Sequence, residues 1–256
     1  MAQTKKRANN GENGNYDSGS VKLYEGLAHV RKRPGMYVGG TDIRALHHLI
    51  YEVVDNSVDE ALANRASSVE ITLHDDGSVS VRDDGAGIPV STHADTGSST
   101  LETVMTKLGA GAKFDNQAYS VSGGLHGVGV SAVNALSSNL LAQVWREGYL
   151  WEQEYVEGGR PLAPVEKVRK MEPDEITGTL VRFLPDEEIF PDRTFNYDTL
   201  VQRFREVAFL VSGMSITIRD ERAKPFPNEQ TFYFEGGLQS FVRYLNRNRH
   251  ELHSVI

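Results

Sequence analysis

Apolar residues recur with helical spacing across residues 45–63, where Ile50, Val53, Val54, Val58, Ala61 and Leu62 share one arc. Shorter windows at 21–31, 100–108, 130–136, 197–210 and 238–246 carry the same period. Arg33-Pro34-Gly35 stops the first of these helices. Runs rich in β-branched and aromatic residues at 69–73, 79–82, 140–145, 150–156, 180–183, 215–219 and 231–234 predict strands. His74-Asp75-Asp76-Gly77 joins the first two as a hairpin turn. No internal repeat is present. Helices interspersed with hairpins predict an α+β fold, with helices packed on a mixed, largely antiparallel sheet, rather than a βαβ array. Residues 1–20 are rich in Asn, Gly and Ser, with Tyr16 the one large side chain after the opening basic stretch, and read as a flexible N-terminal arm.

Composition narrows the chemistry. The 256 residues carry a formal net charge of −8 and contain no cysteine. Disulfides, thiolate zinc sites and cysteine nucleophiles are therefore excluded. An acidic chain lacks the basic field of a strong nucleic-acid clamp. No apolar run approaches the ~18 residues of a membrane span. The opening MAQTKKRANN has no apolar stretch after its charges, so it does not read as a secretory signal.

Opposite the apolar arc of 45–63, Glu52, Asn56 and Asp59 fall within about 80° of His48 at the helical period. The segment 45–64 contains no Lys or Arg, so it lacks the Glu–Lys pairs of an ordinary solvated face. Such a face remains one reading of the stripe. The other is chemical. A carboxylate one turn after an imidazole can accept its hydrogen bond, and a carboxamide oxygen one turn further suits Mg²⁺. A carboxylate facing a metal-bound phosphate can orient and deprotonate water.

Two glycine clusters follow. Asp83-Asp84-Gly85-Ala86-Gly87-Ile88-Pro89 closes a strand and reads either as a plain turn or as a close approach to a flat ligand. Ser122-Gly123-Gly124-Leu125-His126-Gly127-Val128-Gly129-Val130 runs into a helix. Its backbone amides suit phosphate oxygens, although a hinge would have the same composition. It is no P-loop, since no Lys-Ser/Thr follows its last glycine, and its glycine spacing reverses the dinucleotide fingerprint. Lys113 precedes it by nine residues.

Together these motifs resemble the ATPase domain of the gyrase B family of bacterial type II topoisomerases. More distant likenesses are the mismatch-repair, chaperone and sensor histidine kinase ATPases. The resemblance covers about 21–248. It rests on VRKRPGMYVG at 30–39, EVVDNSVDEAL at 52–62, DDGAGIP at 83–89, VSGGLHGVG at 121–129 and TGTLVRF at 177–183, in the family's order. It implies a two-layer sandwich of the Bergerat ATP-binding type, with ATP and Mg²⁺ as ligands. Glu52 is then the general base, with His48 beside it, and Asn56 is the Mg²⁺ ligand. Asp83 accepts from the adenine amine, and Thr179 reaches adenine through water. Gly85, Gly87, Ile88 and Pro89 shape the pocket. Lys113 and the amides of Gly123, Gly124, Leu125, His126, Gly127, Val128, Gly129 and Val130 cover the phosphates. Tyr16 reaches the nucleotide of a second protomer.

The resemblance further implies an ATP-driven dimer clamp acting in DNA strand passage and negative supercoiling. Its partners would be a second copy, DNA and the gyrase A protein, or the corresponding A protein of topoisomerase IV under the alternative assignment. Aminocoumarin-type inhibitors would be possible ligands, the location cytoplasmic, and 21–235 the ATPase domain, with 236–256 beginning the next, transducer domain. The Arg-Lys-Arg-Pro-Gly-Met-Tyr stretch argues against the repair and chaperone branches, and a water-activating Glu argues against a kinase. A non-hydrolysing nucleotide sensor is the remaining alternative. Ala86, Gly109, Ala112 and Ser120 depart from the family's usual Arg, His, Gly and Lys, while Arg146 is retained.

Overall fold

In a computed structural model, residues 24–110, 129–249, 253 and 255 are described. The chain opens with α1 (Gly26–Lys32), α2 (Gly35–Val38) and the long α3 (Ile43–Leu62). A hairpin of β1 (Ser68–Leu73) and β2 (Val79–Asp83) follows, then α4 (Thr100–Thr106) and α5 (Gly129–Ala135). Next come β3 (Ser137–Arg146), β4 (Tyr149–Val156), β5 (Arg160–Pro161), β6 (Glu166–Lys170) and β7 (Gly178–Pro185). The last elements are α6 (Tyr197–Leu210), β8 (Ser215–Asp220), β9 (Asn228–Tyr233) and α7 (Gly237–Asn246).

The strands form one sheet in the order β5-β4-β3-β7-β2-β1-β8-β9, with β6 also paired on β4. Among the described strands only β1 and β8 run parallel, with Val69 opposite Ile216 and Ile71 opposite Ile218. Every other pairing is antiparallel. The expected mixed, largely antiparallel sheet is therefore present. Alternation along the strands explains the layering. Ile71, Val79, Val81, Leu140, Ala142, Val181, Phe183, Ile216 and Ile218 are buried in the core shared with the helices. Arg82, Gln143, Arg182 and Thr217, out of phase with them, are only half-buried.

Asp42 fixes the start of α3, its carboxylate accepting from the amides of Arg44 at 3.1 Å and Ala45 at 3.0 Å. That cap sets the rotation of the helix. Leu46, Leu49, Ile50, Val53 and Val54 enter the core, while His48, Glu52 and Asn56 stay partly accessible. Asp59 departs from the expected stripe: it is buried.

Three local expectations need correcting. α1 ends at Lys32, stopped at Arg33-Pro34-Gly35 as expected, but it begins at Gly26, and an unexpected short helix, α2, follows directly with Pro34 at its N-cap, where its missing N–H costs nothing. β5 and β6 were not expected. β6 is exposed at every position and has no apolar alternation to announce it; it is held by its ladder to β4 and by Lys167, whose ammonium sits 3.8 Å from the centre of the Tyr149 ring. β3 begins at Ser137 rather than 140, because its first residues pair through the backbone while carrying polar side chains. The N-terminal arm lies outside the described residues. No helix among the described residues is long and apolar enough to cross a membrane.

His47 ties α3 to α6. Its ring is buried and stacks on Phe195, and its Nε2 accepts from the amide of Asn196 at 3.0 Å. Asn196 in turn caps α6, accepting from the Thr199 amide. Burial lowers the His47 pKa, so the folded chain resists a proton that the unfolded chain takes up at about 6.5. Stability is independent of this group above that pH. It falls as the pH drops from there towards the lower folded pKa. Urea denaturation at pH 7.5 and 5.5 should show a lower midpoint at 5.5. His47→Gln, which keeps an acceptor but cannot titrate, should remove part of that difference.

Candidate active site

β2 ends at Asp83, whose carboxylate turns in under α3 and is 8% exposed. Three donors meet it. The Ser57 hydroxyl donates to Oδ2 at 3.0 Å, and the amides of Gly85 and Thr179 donate to Oδ1 at 3.0 and 3.2 Å. Burial raises the Asp83 pKa above its ordinary value and the charge of Glu60 adds to this, while the three hydrogen bonds oppose it. A carboxylate oxygen accepts more than one donor, so Oδ2 keeps capacity for a further N–H.

The loop after Asp83 is held on several sides. The Ile88 amide donates to Thr179 Oγ1 at 3.3 Å. The Ala86 amide donates to Glu60 Oε2 at 3.4 Å, and Glu60 also receives the Arg65 guanidinium at 2.8 and 3.0 Å. Arg146 Nη1 donates to the carbonyls of Ala86 and Gly87 at 3.2 and 2.8 Å. Gly87 has φ 75°, and a Cβ there would stand 2.9 Å from Val144 Cγ1 and 3.0 Å from the Trp145 carbonyl. A Cβ on Gly178 would strike the carbonyl oxygen of Asp83. The backbone therefore closes around Asp83 with no side chains in the way. Pro89 is exposed at the end of this loop.

About 7–8 Å along α3 from Ser57 lies Glu52. Its side chain is a quarter exposed, and its Oε1 is 3.2 Å from His48 Nδ1. Among the described residues that nitrogen has no aligned hydrogen bond, and it meets Glu52 as a close approach. Gly129, the first residue of α5, passes so near that a Cβ would collide with Glu52 Oε2. Val130 behind it is buried. Asn56, one turn beyond Glu52, is half-buried. Among the described residues no three His, Asp or Glu side chains gather as a metal site. Lys113, Gly123, Gly124, Leu125, His126, Gly127, Val128 and Tyr16 lie outside the described residues.

Thus Asp83, with Gly85, Gly87, Ile88 and Thr179 around it, meets α3 at Ser57; Asn56 is the preceding residue, and Glu52, packed under Gly129, and His48 follow towards the helix start. Ser57, Glu60 and Gly178 belong to the same construction and were not singled out from the sequence. Ser57 and Glu60 stood within the EVVDNSVDEAL stretch at 52–62 and Gly178 within the Thr177-Gly178-Thr179 stretch of the last motif, but nothing local marked the long-range contacts they make.

Residues 41–189 match the model of the histidine kinase-, DNA gyrase B-, and HSP90-like ATPases. The chain belongs to this ATPase family. It is 53% identical over 241 residues to the DNA gyrase B subunit of Haloferax volcanii, an alignment covering 94% of this chain and 37% of that protein. The DNA gyrase B subunit of Thermotoga maritima is 51% identical with the same coverage. The DNA topoisomerase 4 B subunit of Bacillus subtilis is 45% identical over 241 residues, 94% of this chain and 36% of that protein. The chain spans little more than a third of the length of these curated relatives. Its sheet of mostly antiparallel strands under a helical layer is the ATP-binding fold of this ATPase family.

Proposed function

We propose that this family member binds and hydrolyses ATP as the ATPase module of a bacterial type II topoisomerase, of the gyrase B kind in preference to topoisomerase IV. The observation that carries this is α3 itself. Through Ser57 it meets a buried, triply hydrogen-bonded carboxylate, and little more than a turn earlier it carries a partly exposed carboxylate pressed against a helix-opening glycine. Higher identity to the Haloferax volcanii and Thermotoga maritima gyrase subunits than to the Bacillus subtilis topoisomerase 4 subunit supports the order of preference.

Asp83 accepts the exocyclic amine of adenine, and the bare backbone at Gly85 and Gly87 admits the flat base. Thr179 holds Ile88 through its hydroxyl and completes that wall. The Asn56 carboxamide oxygen is the protein ligand for Mg²⁺. One oxygen beside a carboxylate fits an ion that takes most of its remaining ligands from phosphates and water. Bound Mg²⁺ would neutralise charge on the phosphate oxygens. Glu52 orients the attacking water and takes its proton as the terminal phosphoryl group leaves, and His48 beside it stabilises the carboxylate. Lys113 and the amides of 123–130 cover the phosphates.

In the longer protein, ATP occupancy would close two copies around DNA, with Tyr16 entering the partner's site and the gyrase A protein supplying strand cleavage. The domain reading is 1–20 arm, 21–235 ATPase domain and 236–256 the beginning of a transducer domain. Leu238, Val242 and Leu245 support the last boundary. They form an exposed apolar stripe on α7, whose other side packs Phe241 and Tyr244 on Phe209. Arg146 at the loop carbonyls makes aminocoumarin-type inhibitors candidate ligands, and the location we infer is cytoplasmic. Calorimetry with Mg²⁺ and ADP tests the core of this reading: saturable uptake is expected, and its absence would overturn it.

A further inference from the structure

Ser57 sits within a helix beside Asn56, yet its hydroxyl is turned wholly into the protein. The side chain is buried, and its hydrogen bond to Asp83 Oδ2, at 3.0 Å, is the one side-chain donor among the three that hold that carboxylate. The other two are backbone amides and both engage Oδ1. The two oxygens are thus treated differently. Oδ1 is saturated from the loop and from β7, and Oδ2 is governed by Ser57 and by whatever ligand arrives.

We propose that Ser57 is the positioning residue for base selectivity: by donating to Oδ2 it keeps that oxygen an acceptor, so the site takes a purine with an exocyclic amine and refuses one with a carbonyl. This rests on the assignment of adenine to Asp83. The physical case is direct. An ionised carboxylate only accepts hydrogen bonds, whereas a protonated one also donates. Burial of Asp83 and the nearby charge of Glu60 both favour the protonated acid. The amides on Oδ1 leave Oδ2 as the place for that proton. A hydroxyl already donating to Oδ2 opposes protonation and fixes the plane of the carboxylate. Without it, Oδ2 can turn or carry a proton, and a protonated Oδ2 presents a donor that suits a carbonyl at purine position 6.

The test compares ADP with inosine diphosphate, which replaces that amine by a carbonyl, by calorimetry on the whole chain with Mg²⁺. Wild type is expected to prefer ADP. Ser57→Ala should narrow the ratio of dissociation constants by about tenfold, the size of one hydrogen bond to a charged group. Ser57→Cys, which retains a weak donor, should fall between. Thermal unfolding checks that each variant is folded, and the Cys variant decides the matter if the Ala variant is not. A wild type that binds the two nucleotides alike would overturn the adenine assignment itself. A discriminating wild type whose Ser57→Ala variant keeps the ratio, or loses both affinities equally, would overturn the selectivity role and leave the adenine site standing.

Discussion

Glu52→Gln should lower steady-state phosphate release by about 10²–10⁴-fold, the usual share of a general base, while ADP uptake changes little. Gln keeps the length and nearly the volume of Glu. It therefore still fits beneath Gly129, whose missing side chain is what leaves room for residue 52. What the substitution removes is the capacity to accept a proton from water. His48→Ala should cost much less, because Nδ1 approaches Glu52 at 3.2 Å without the alignment of a hydrogen bond. Phosphate release assayed alongside calorimetric ADP binding separates the two roles. A Gln variant that turns over at the wild-type rate would remove Glu52 from the chemistry. One that loses ADP binding as well would assign Glu52 to binding.

The pattern of the sequence carried the elements whose side chains see a difference between core and solvent. α6 occupies 197–210 as its period predicted, and α3, expected over 45–63, runs from Ile43, just inside the Asp42 cap, to Leu62. β6 was silent because every one of its side chains is exposed, so only its backbone knows that it is a strand. The parallel pairing of β1 with β8 was equally silent, since alternation fixes which face a residue takes but not its neighbour. The site follows the same division. Glu52, Asn56 and the glycine loops stand out as residue types at suggestive spacings. The contacts that give them shape are long-range: Ser57 to Asp83, Gly129 against Glu52, Gly178 against the Asp83 carbonyl. Each needs the chain to return from a distant segment, which no local period records. Asp59 shows the converse. Its helical angle placed it with His48 and Glu52, yet it is buried, because the period gives a residue's side of the helix and not what packs over it.

Asp83 gives the second large effect, and two substitutions divide it. Asp83→Asn is expected to weaken ADP binding by about 100-fold or more with a modest loss of stability. The amide oxygen can still accept from Gly85 and Thr179. The amide nitrogen then takes the place of Oδ2; the Ser57 hydroxyl can turn to accept from it, but it sets a donor against the adenine amine. A site built to accept a donor rejects a mismatch of this kind strongly, because buried polar groups are left unpaired. Asp83→Ala should weaken binding at least as much and also destabilise the fold by about 2–4 kcal/mol, since it strands two amides and a hydroxyl in a buried space. Calorimetry reports the first quantity and urea denaturation the second. The order expected for stability is wild type, then Asn, then Ala, whereas for ADP affinity both variants fall far below wild type. An Asn variant that binds ADP as tightly as wild type would detach adenine from Asp83, because no rotation of a carboxamide offers acceptors on both sides.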